Sequence, residues 1–499
     1  MILNNLNNLI LINILYSIHK DKNVVGIAHH NSLNMTNIAT YHFIGVGGIG
    51  MSGLAELLVR QGHRVTGSDL AANALTRRLE ELGVAIYQGH RPEHIGEARV
   101  VVYSSAVKPD NPEFAAAKEQ GRELLRRGAM LARLMDGHFQ IAITGAHGKT
   151  STTAMVAAIL RAGGLDPTVS VGAVWDNLGS NAVLGRGEYF VAEADESDAS
   201  FALLSPQISV ITNLDREHLD FYRDLDHIKE VFAGYLAKLP PGARVVAWAD
   251  DPHLTPLLRG FPRQVTYSLE PGAGDFRASN LESAGLGFRF RLTYRGRPLG
   301  TITLPLAGEH YVLNAMAACA VGHTLGLPFE VWRRGLRDLG QIHRRLQVKG
   351  EARGVLVMDD YGHHPTEIAA TLEGLARAFP DRRLVVAFQP HRFSRTRALL
   401  PEFFPVFQRA GAVFITEIYS AGEPALDGLS GRAVFDGICR HGHPGAHFVQ
   451  GKEILADTIL EHLHTGDLVL TLGAGDIYKF GEELLDKLTG PAPPSRSGC

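Results

Sequence analysis

The chain has 499 residues, 45% of them hydrophobic and 20% charged, with a formal net charge of -3. That length accommodates about three domains, the composition is that of an ordinary globular protein, and the charge excludes a nucleic-acid binder driven by a basic surface. Its three cysteines (Cys319, Cys439, Cys499) are too few and too widely spaced for a disulfide framework or a metal-ligand motif, and they point to a reducing, cytoplasmic setting.

No apolar run reaches membrane-spanning length, so no membrane partner is expected. Residues 1–38 are rich in Asn and Ile, unlike the rest. Their apolar run over 9–16 is interrupted by Asn13 and lacks the basic start and the cleavage site of a signal peptide. The segment reads as a weakly ordered extension with Met35 as a candidate start; a short accessory helix is the competing view.

The first organised element is a strand from Thr40 that feeds Gly45-Val-Gly47-Gly48-Ile-Gly50, then a helix to about Gln61 and a strand over 63–67 with Asp69 just past its end. A G-x-G-x-x-G turn opening a helix holds a diphosphate, and the acid stands near the distance that meets a ribose. A nicotinamide dinucleotide and another diphosphate ligand both stay open. The strand over 99–103 ends in Ser104-Ser105, polar residues that can also face the ligand, and helices around 113–119 and 130–135 close the unit.

The next strand, over 139–144, leads into Gly145-Ala146-His147-Gly148-Lys149-Thr150-Ser151 and a helical pattern over 152–162 stopped by Gly163-Gly164. This is the context of a phosphate-binding loop, whose amides point inward at a positive helix end. Lys149 suits the outer phosphates and the Thr150 hydroxyl suits Mg²⁺. Ile143 stands where the strict pattern has Gly, so an ordinary strand-to-helix turn is the alternative. ATP is the expected nucleotide, because no guanine-reading motif is present.

A strand over 189–193 ends in Glu193-Ala-Asp195-Glu196-Ser-Asp198. Carboxylates this close repel one another unless a cation such as nucleotide-bound Mg²⁺ offsets them. His218 follows the strand that starts at Gln207, where ligands bind in a parallel α/β sheet, so a metal or phosphate role is favoured. Residues 240–310 alternate in short segments that predict antiparallel strands, and a helix carrying Asn314 runs to about 325.

Arg344-Arg345 lie in a linker to a third α/β unit. Its first strand ends in Asp359-Asp360 and leads into Tyr361-Gly-His363-His364-Pro365, with Pro365 opening a helix. The strand over 384–388 leads into Gln389-Pro-His391-Arg392-Phe-Ser394-Arg395, and later strands cover 413–418 and 467–472. The ligand face of this unit is therefore basic and His-rich, and the Pro-rich tail from Gly490 is expected to be disordered. Two phosphate-type loops without a nucleophile motif point to a substrate that itself attacks the ATP γ-phosphate, in a site completed by domain closure.

These motifs, in this order over about residues 40 to 485, resemble the Mur ligases of peptidoglycan synthesis: G-x-x-G-K-T, Glu-Ala-Asp-Glu-Ser-Asp, Thr-Asn…His218, Leu-Asn314-Ala, Arg344-Arg345 and Asp360-Tyr-Gly-His-His-Pro. The opening F-I-G-V-G-G-I-G-M-S-G and the run from Gln389 are most like the member that uses L-alanine. The resemblance implies an α/β fold in three domains. A Rossmann-like domain (39–136) would hold UDP-N-acetylmuramate. A central P-loop ATPase domain (137–339) would have a mostly parallel sheet plus a small antiparallel one. A Rossmann-like C-terminal domain (340–488) would close over ATP and the amino acid, followed by a tail (489–499).

The implied reaction joins L-alanine to the lactyl carboxylate through an acyl phosphate. Gly45, Gly47, Gly48, Gly50, Asp69, Ser104 and Ser105 would bind the UDP-sugar. Gly145 to Ser151 would bind ATP, with Asn314 on its adenine side and Arg345 and Asp360 reaching the nucleotide. Lys149 would stabilise the transferring phosphoryl group, and Thr150, Glu193 and His218 would hold Mg²⁺. Tyr361, His363, His391, Arg392 and Arg395 would line the amino-acid pocket. The chain departs from the family at Tyr311, where Asn is usual. A monomer or homodimer is expected. A sister ligase attaching a whole tripeptide, a nicotinamide oxidoreductase and a non-catalytic nucleotide-binding module remain as rivals.

Overall fold

The computed structural model describes residues 38–219 and 221–490. The expected extension with its candidate start at Met35, and the tail beyond Gly490, lie outside the described residues.

Three sheets follow one another along the described chain. The first contains β1 (Thr40–Ile44), β2 (Arg64–Asp69), β3 (Ala85–Gln88), β4 (Val100–Tyr103) and β5 (Glu123–Arg126), all parallel in the order β3-β2-β1-β4-β5. The order reverses between β1 and β4, so the ligand crevice opens where the G-x-G-x-x-G turn leaves β1 and Ser104 leaves β4. The edge strands β3 and β5 escape sequence reading because they are short and mostly exposed or half-buried.

The second sheet contains β6 (Phe139–Thr144), β7 (Thr168–Trp175), β8 (Ser180–Val183), β9 (Tyr189–Glu193), β10 (Ile208–Ile211), β11 (Arg244–Trp248), β12 (Gln264–Ser268), β13 (Phe276–Ala284), β14 (Gly287–Tyr294) and β15 (Arg297–Leu304). Their order is β15-β14-β13-β12-β11-β10-β6-β9-β7-β8. Of the strands within 240–310, β13, β14 and β15 pair antiparallel with one another as expected, whereas β11 and β12 are parallel members of the main sheet, which β13 joins through β12. The strand β6 sits between β10 and β9, which brings the loops after all three strands to one edge.

The helix after the phosphate loop, Lys149–Ala162, starts three residues earlier than the apolar periodicity implies. It is buried from Thr150 to Leu160 and packs against the helix Glu309–Thr324, whose Ala315, Ala317, Ala318 and Ala320 let the two axes approach closely.

The third sheet contains β16 (Gln347–Ala352), β17 (Val355–Asp360), β18 (Leu384–Phe388), β19 (Ala412–Ile415), β20 (Ala446–Phe448) and β21 (Leu468–Leu472), in the order β16-β17-β21-β18-β19-β20. Only β16 runs antiparallel among them, on the edge, beside β17. Pro365 occupies the first turn of the helix Pro365–Ala378, as its fixed φ favours. The loops after β17 and β18 meet the loops after β6, β9 and β10 of the second sheet, and the candidate site lies between them.

Candidate active site

The phosphate loop is braced by the chain itself. Gly148 has φ +81°, and a Cβ there would lie 2.5 Å from Asn314 Oδ1, so the position requires glycine. The backbone amides of Ala146 and His147 donate to Asn213 O (3.1 Å) and Asn213 Oδ1 (2.9 Å), and Thr212 Oγ1 donates to His147 O (2.6 Å). The helix start leaves the amides of Lys149, Thr150 and Ser151 available to an anion. Asn314, expected on the adenine side, packs on the loop itself at Gly148.

Lys149 Nζ donates to Gly145 O (2.7 Å), Ala146 O (2.9 Å) and Glu196 Oε1 (2.8 Å). Burial alone would lower its pKa, but the surrounding charges of Glu196, Asp195 and Glu193 outweigh that and raise it. His218 Nε2 lies 3.0 Å from the same Glu196 oxygen. Burial opposes protonation of His218 and the Glu196 carboxylate overrides it, so its pKa is raised. Glu193 instead accepts from Thr150 Oγ1 (3.1 Å) and from the Gly172 amide (2.7 Å). The expected set Thr150, Glu193 and His218 thus divides in two. Glu193 ends β9 and faces the helix start, whereas Glu196 lies in the loop beyond and turns toward His218.

Asp195, Glu196 and His218 each offer one ligand atom within 4.8 Å of the others, and Glu196 Oε2 is buried without a hydrogen-bond partner among the described residues. A buried carboxylate oxygen left unmatched beside a second carboxylate and an imidazole fits a divalent cation such as Mg²⁺.

The third sheet adds cations and closes the site. Arg345 Nη2 donates to Thr150 Oγ1 (3.1 Å), its guanidinium lies over the Tyr361 ring (5.1 Å), and its Nε is buried without a partner. Asp360 accepts from the amides of Leu346 and Gly362 (2.8 Å each), while burial pushes its pKa up to about 6. Tyr311 is buried with its hydroxyl 3.5 Å from Asp360. His147 lies between Asp215 (2.8 Å), in the loop after β10, and Glu367 (3.2 Å), on the helix Pro365–Ala378. Burial would depress its pKa, but these two hydrogen bonds push it up to about 10. His147 is therefore a cation joining the phosphate loop to the third sheet.

Beyond His218, Arg395 donates bidentately to Glu217, Nε to Oε1 (2.9 Å) and Nη2 to Oε2 (3.1 Å). His391 Nδ1 lies 3.1 Å from Arg395 Nη1, and burial together with the charges of His363 and Arg395 holds its pKa down to about 3. His363 Nε2 is 3.9 Å from Glu217. Arg392, at φ +67°, lines the same cavity and reaches Glu423 at 4.0 Å.

On the first sheet, Gly45 and Ser104 are neighbours: a Cβ on Gly45 would lie 3.9 Å from Ser104 Oγ. Asp69 is the last residue of β2, and its Oδ2 accepts from the Gly47 amide (2.8 Å), so here it braces the turn. Gly48 and Ser105 are exposed, and Ser104 is half-buried. Gly50 packs against Arg127, whose Nη2 donates to Asp195 Oδ2 (2.7 Å), and this contact links the first-sheet turn to the acid cluster.

Models of three Mur ligase segments match the chain: the Mur ligase family catalytic domain over residues 40–139, the middle domain over 143–322, and the glutamate ligase domain over 344–475. The chain belongs to the Mur ligase family. A relative from Syntrophobacter fumaroxidans, named UDP-N-acetylmuramate–L-alanine ligase, is 48% identical over 449 residues, which is 90% of this chain and 96% of that protein. One of the same name from Sorangium cellulosum is 46% identical over 456 residues, 91% of this chain and 97% of the relative. The solved UDP-N-acetylmuramate-alanine ligase from Thermotoga maritima has a TM-score of 0.78 at 28% identity, covering 90% of this chain and 98% of the other. No helix among the described residues of this Mur ligase is long and apolar enough to cross a membrane.

Glu196, read from the sequence only as one member of an acid cluster, and Asp215, Glu217 and Glu367, given no role there, hold the predicted site residues in place. The available signal was acids crowded beside His218 and after Pro365. Their partners lie up to 220 residues away in sequence, beyond what local pattern reveals.

Proposed function

We propose that this Mur ligase joins L-alanine to the lactyl carboxylate of UDP-N-acetylmuramate through an acyl phosphate, at the expense of ATP, in the cytoplasmic assembly of peptidoglycan precursors. The observation that carries the reading is the pair of unmatched buried groups beside the phosphate loop, the Arg345 Nε donor and the Glu196 Oε2 acceptor, together with the Glu217–Arg395 pair beyond them. A cationic donor open beside Thr150 and an anionic acceptor open beside Lys149 suit a phosphoryl group with its cation.

In this reading the divisions 39–136, 137–339 and 340–488 act as sugar-nucleotide, ATP and acceptor domains. The sugar-nucleotide diphosphate rests on the turn Gly45–Gly50 beside Ser104 and Ser105. The phosphate-loop amides and Lys149 hold the outer ATP phosphates, Lys149 exchanging its loop carbonyls for phosphate oxygens. A lactyl carboxylate oxygen attacks the γ-phosphorus in line and ADP leaves. The L-alanine amine then attacks the acyl carbon, and the tetrahedral intermediate expels inorganic phosphate. Lys149, once it has moved onto the phosphates, and Arg345 stabilise charge on the transferring group, the main way phosphoryl transfer is accelerated. Thr150 with Glu193, and Asp195 with Glu196 and His218, would hold Mg²⁺, which supplies further charge neutralisation. Tyr361, His363, His391, Arg392 and Arg395 enclose the amino acid, and Asp360 orders the linker that carries Arg345.

The test is phosphate release from Mg-ATP with UDP-N-acetylmuramate and single amino acids, then with the tripeptide. Release that requires both the sugar nucleotide and L-alanine supports the reading. Release only with tripeptide moves the chain to the sister ligase, and no acceptor-dependent release overturns it.

A further inference from the structure

Arg395 presents the bidentate fork that binds a carboxylate well, and in this structure an internal carboxylate, Glu217, already fills it at 2.9 and 3.1 Å. The pair crosses from the loop after β10 to the helix Phe393–Ala398 and is almost fully shielded from solvent. A cavity of about 110 Å³ opens beside it, lined by Glu217, His218 and Arg395 and, on the apolar side, by Leu219, Ala398 and Leu399. The two ends of the pair are not equivalent. Glu217 is 3.8 Å from His218, which rests on Glu196 and through it on Lys149, so the carboxylate end points back toward the phosphoryl site. Arg395 is backed by His391.

We propose that the acceptor amino acid enters by inserting its zwitterion into the Glu217–Arg395 pair. Its carboxylate takes the Arg395 fork and its ammonium takes Glu217. Rupturing a buried ion pair leaves two unmatched charges and is costly. A ligand bearing both charges on one carbon rematches both, whereas a simple carboxylate rematches one and strands the other. Glu217 is thus both the ammonium-binding residue and an internal competitor that rejects acids lacking an amine. Insertion in this sense leaves the nitrogen on the phosphoryl side, where it attacks the acyl carbon after giving a proton to the Glu217 carboxylate. The pocket's apolar wall meets the acceptor side chain. The inference rests on the ligase reading above.

The experiment compares wild type with Glu217→Gln and Arg395→Lys, using L-alanine as substrate and propionate, the same carbon skeleton without the amine, as competitor. Charge-assisted hydrogen bonds of this kind change affinity by about tenfold or more. Glu217→Gln is expected to raise KM for L-alanine by about tenfold or more and to lower Ki for propionate by a similar factor, with KM for ATP unchanged. Arg395→Lys is expected to weaken both ligands, because it loses the fork they share. Opposite signs for alanine and propionate in Glu217→Gln support the insertion. Equal signs, no change, or a matching shift in KM for ATP overturn it while leaving the ligase reading intact. A wild type that ignores single amino acids overturns both.

Discussion

Lys149→Met removes the ammonium from the phosphate loop and keeps most of the aliphatic stem. In the resting structure the ammonium has three partners, Gly145 O, Ala146 O and Glu196 Oε1, and its side chain is only 13% exposed beside a Glu196 that is 4% exposed. Two effects must be separated. Stranding one member of a buried pair costs about 3–5 kcal/mol when nothing replaces the lost partner. Here Glu196 keeps His218 at 3.0 Å, so the stability loss should fall below that range. The catalytic effect does not have this cushion. A preorganised charge aimed at the developing transition state is worth about 10²–10³ in kcat, or about 2.7–4 kcal/mol. The assay is kcat from phosphate release with all substrates saturating, together with a thermal unfolding curve of the same preparation. The expected result is a fall in kcat of about 10² or more in folded protein, with KM for the sugar nucleotide within about threefold of wild type. A folded Lys149→Met enzyme with kcat within tenfold of wild type would refute the role given to Lys149.

Glu193→Gln weakens the carboxylate that faces Thr150 and should raise the Mg²⁺ concentration needed for half-maximal turnover by about tenfold, measured by Mg²⁺ titration at fixed ATP. Gly148→Ala places a Cβ 2.5 Å from Asn314 Oδ1 at φ +81° and should abolish detectable ATP binding by calorimetry; unaltered binding would contradict the loop geometry. His147 carries a pKa raised from 6.5 to about 10, so its bridge to Asp215 and Glu367 stabilises the fold fully below pH 6.5 and fades as pH rises through 10. His147→Gln should therefore melt below wild type at pH 7, and the gap should close between pH 7 and 10. A gap that stays constant over that range would show that His147 is uncharged.

The elements that could be read from sequence were those whose signal is local. The phosphate loop declares itself because a mostly apolar strand, a glycine turn and Lys149-Thr150 are contiguous, and the first-sheet turn does so because a strand runs straight into its glycines. The strands β3, β5 and β16 are edges with few buried positions, so no alternation marks them. The site itself was legible as separate motifs but not as partnerships. Glu217 meets Arg395 across 178 residues, and His147 meets Glu367 across 220. The strand end at Glu193 was legible, but the division of the acids between Thr150 and His218 depends on the course of the loop beyond it, which local pattern does not reveal. Asn314 illustrates the same limit, since its contact with Gly148 follows from the packing of two helices that are far apart in the chain.

The central claim is that the sugar-nucleotide carboxylate takes the γ-phosphoryl group before the amine attacks. The most direct measurement uses UDP-N-acetylmuramate labelled with ¹⁸O in its lactyl carboxylate, followed by mass analysis of the inorganic phosphate released with L-alanine and Mg-ATP. Transfer through an acyl phosphate places one carboxylate oxygen in the phosphate. Amide product formed with unlabelled phosphate would contradict the account.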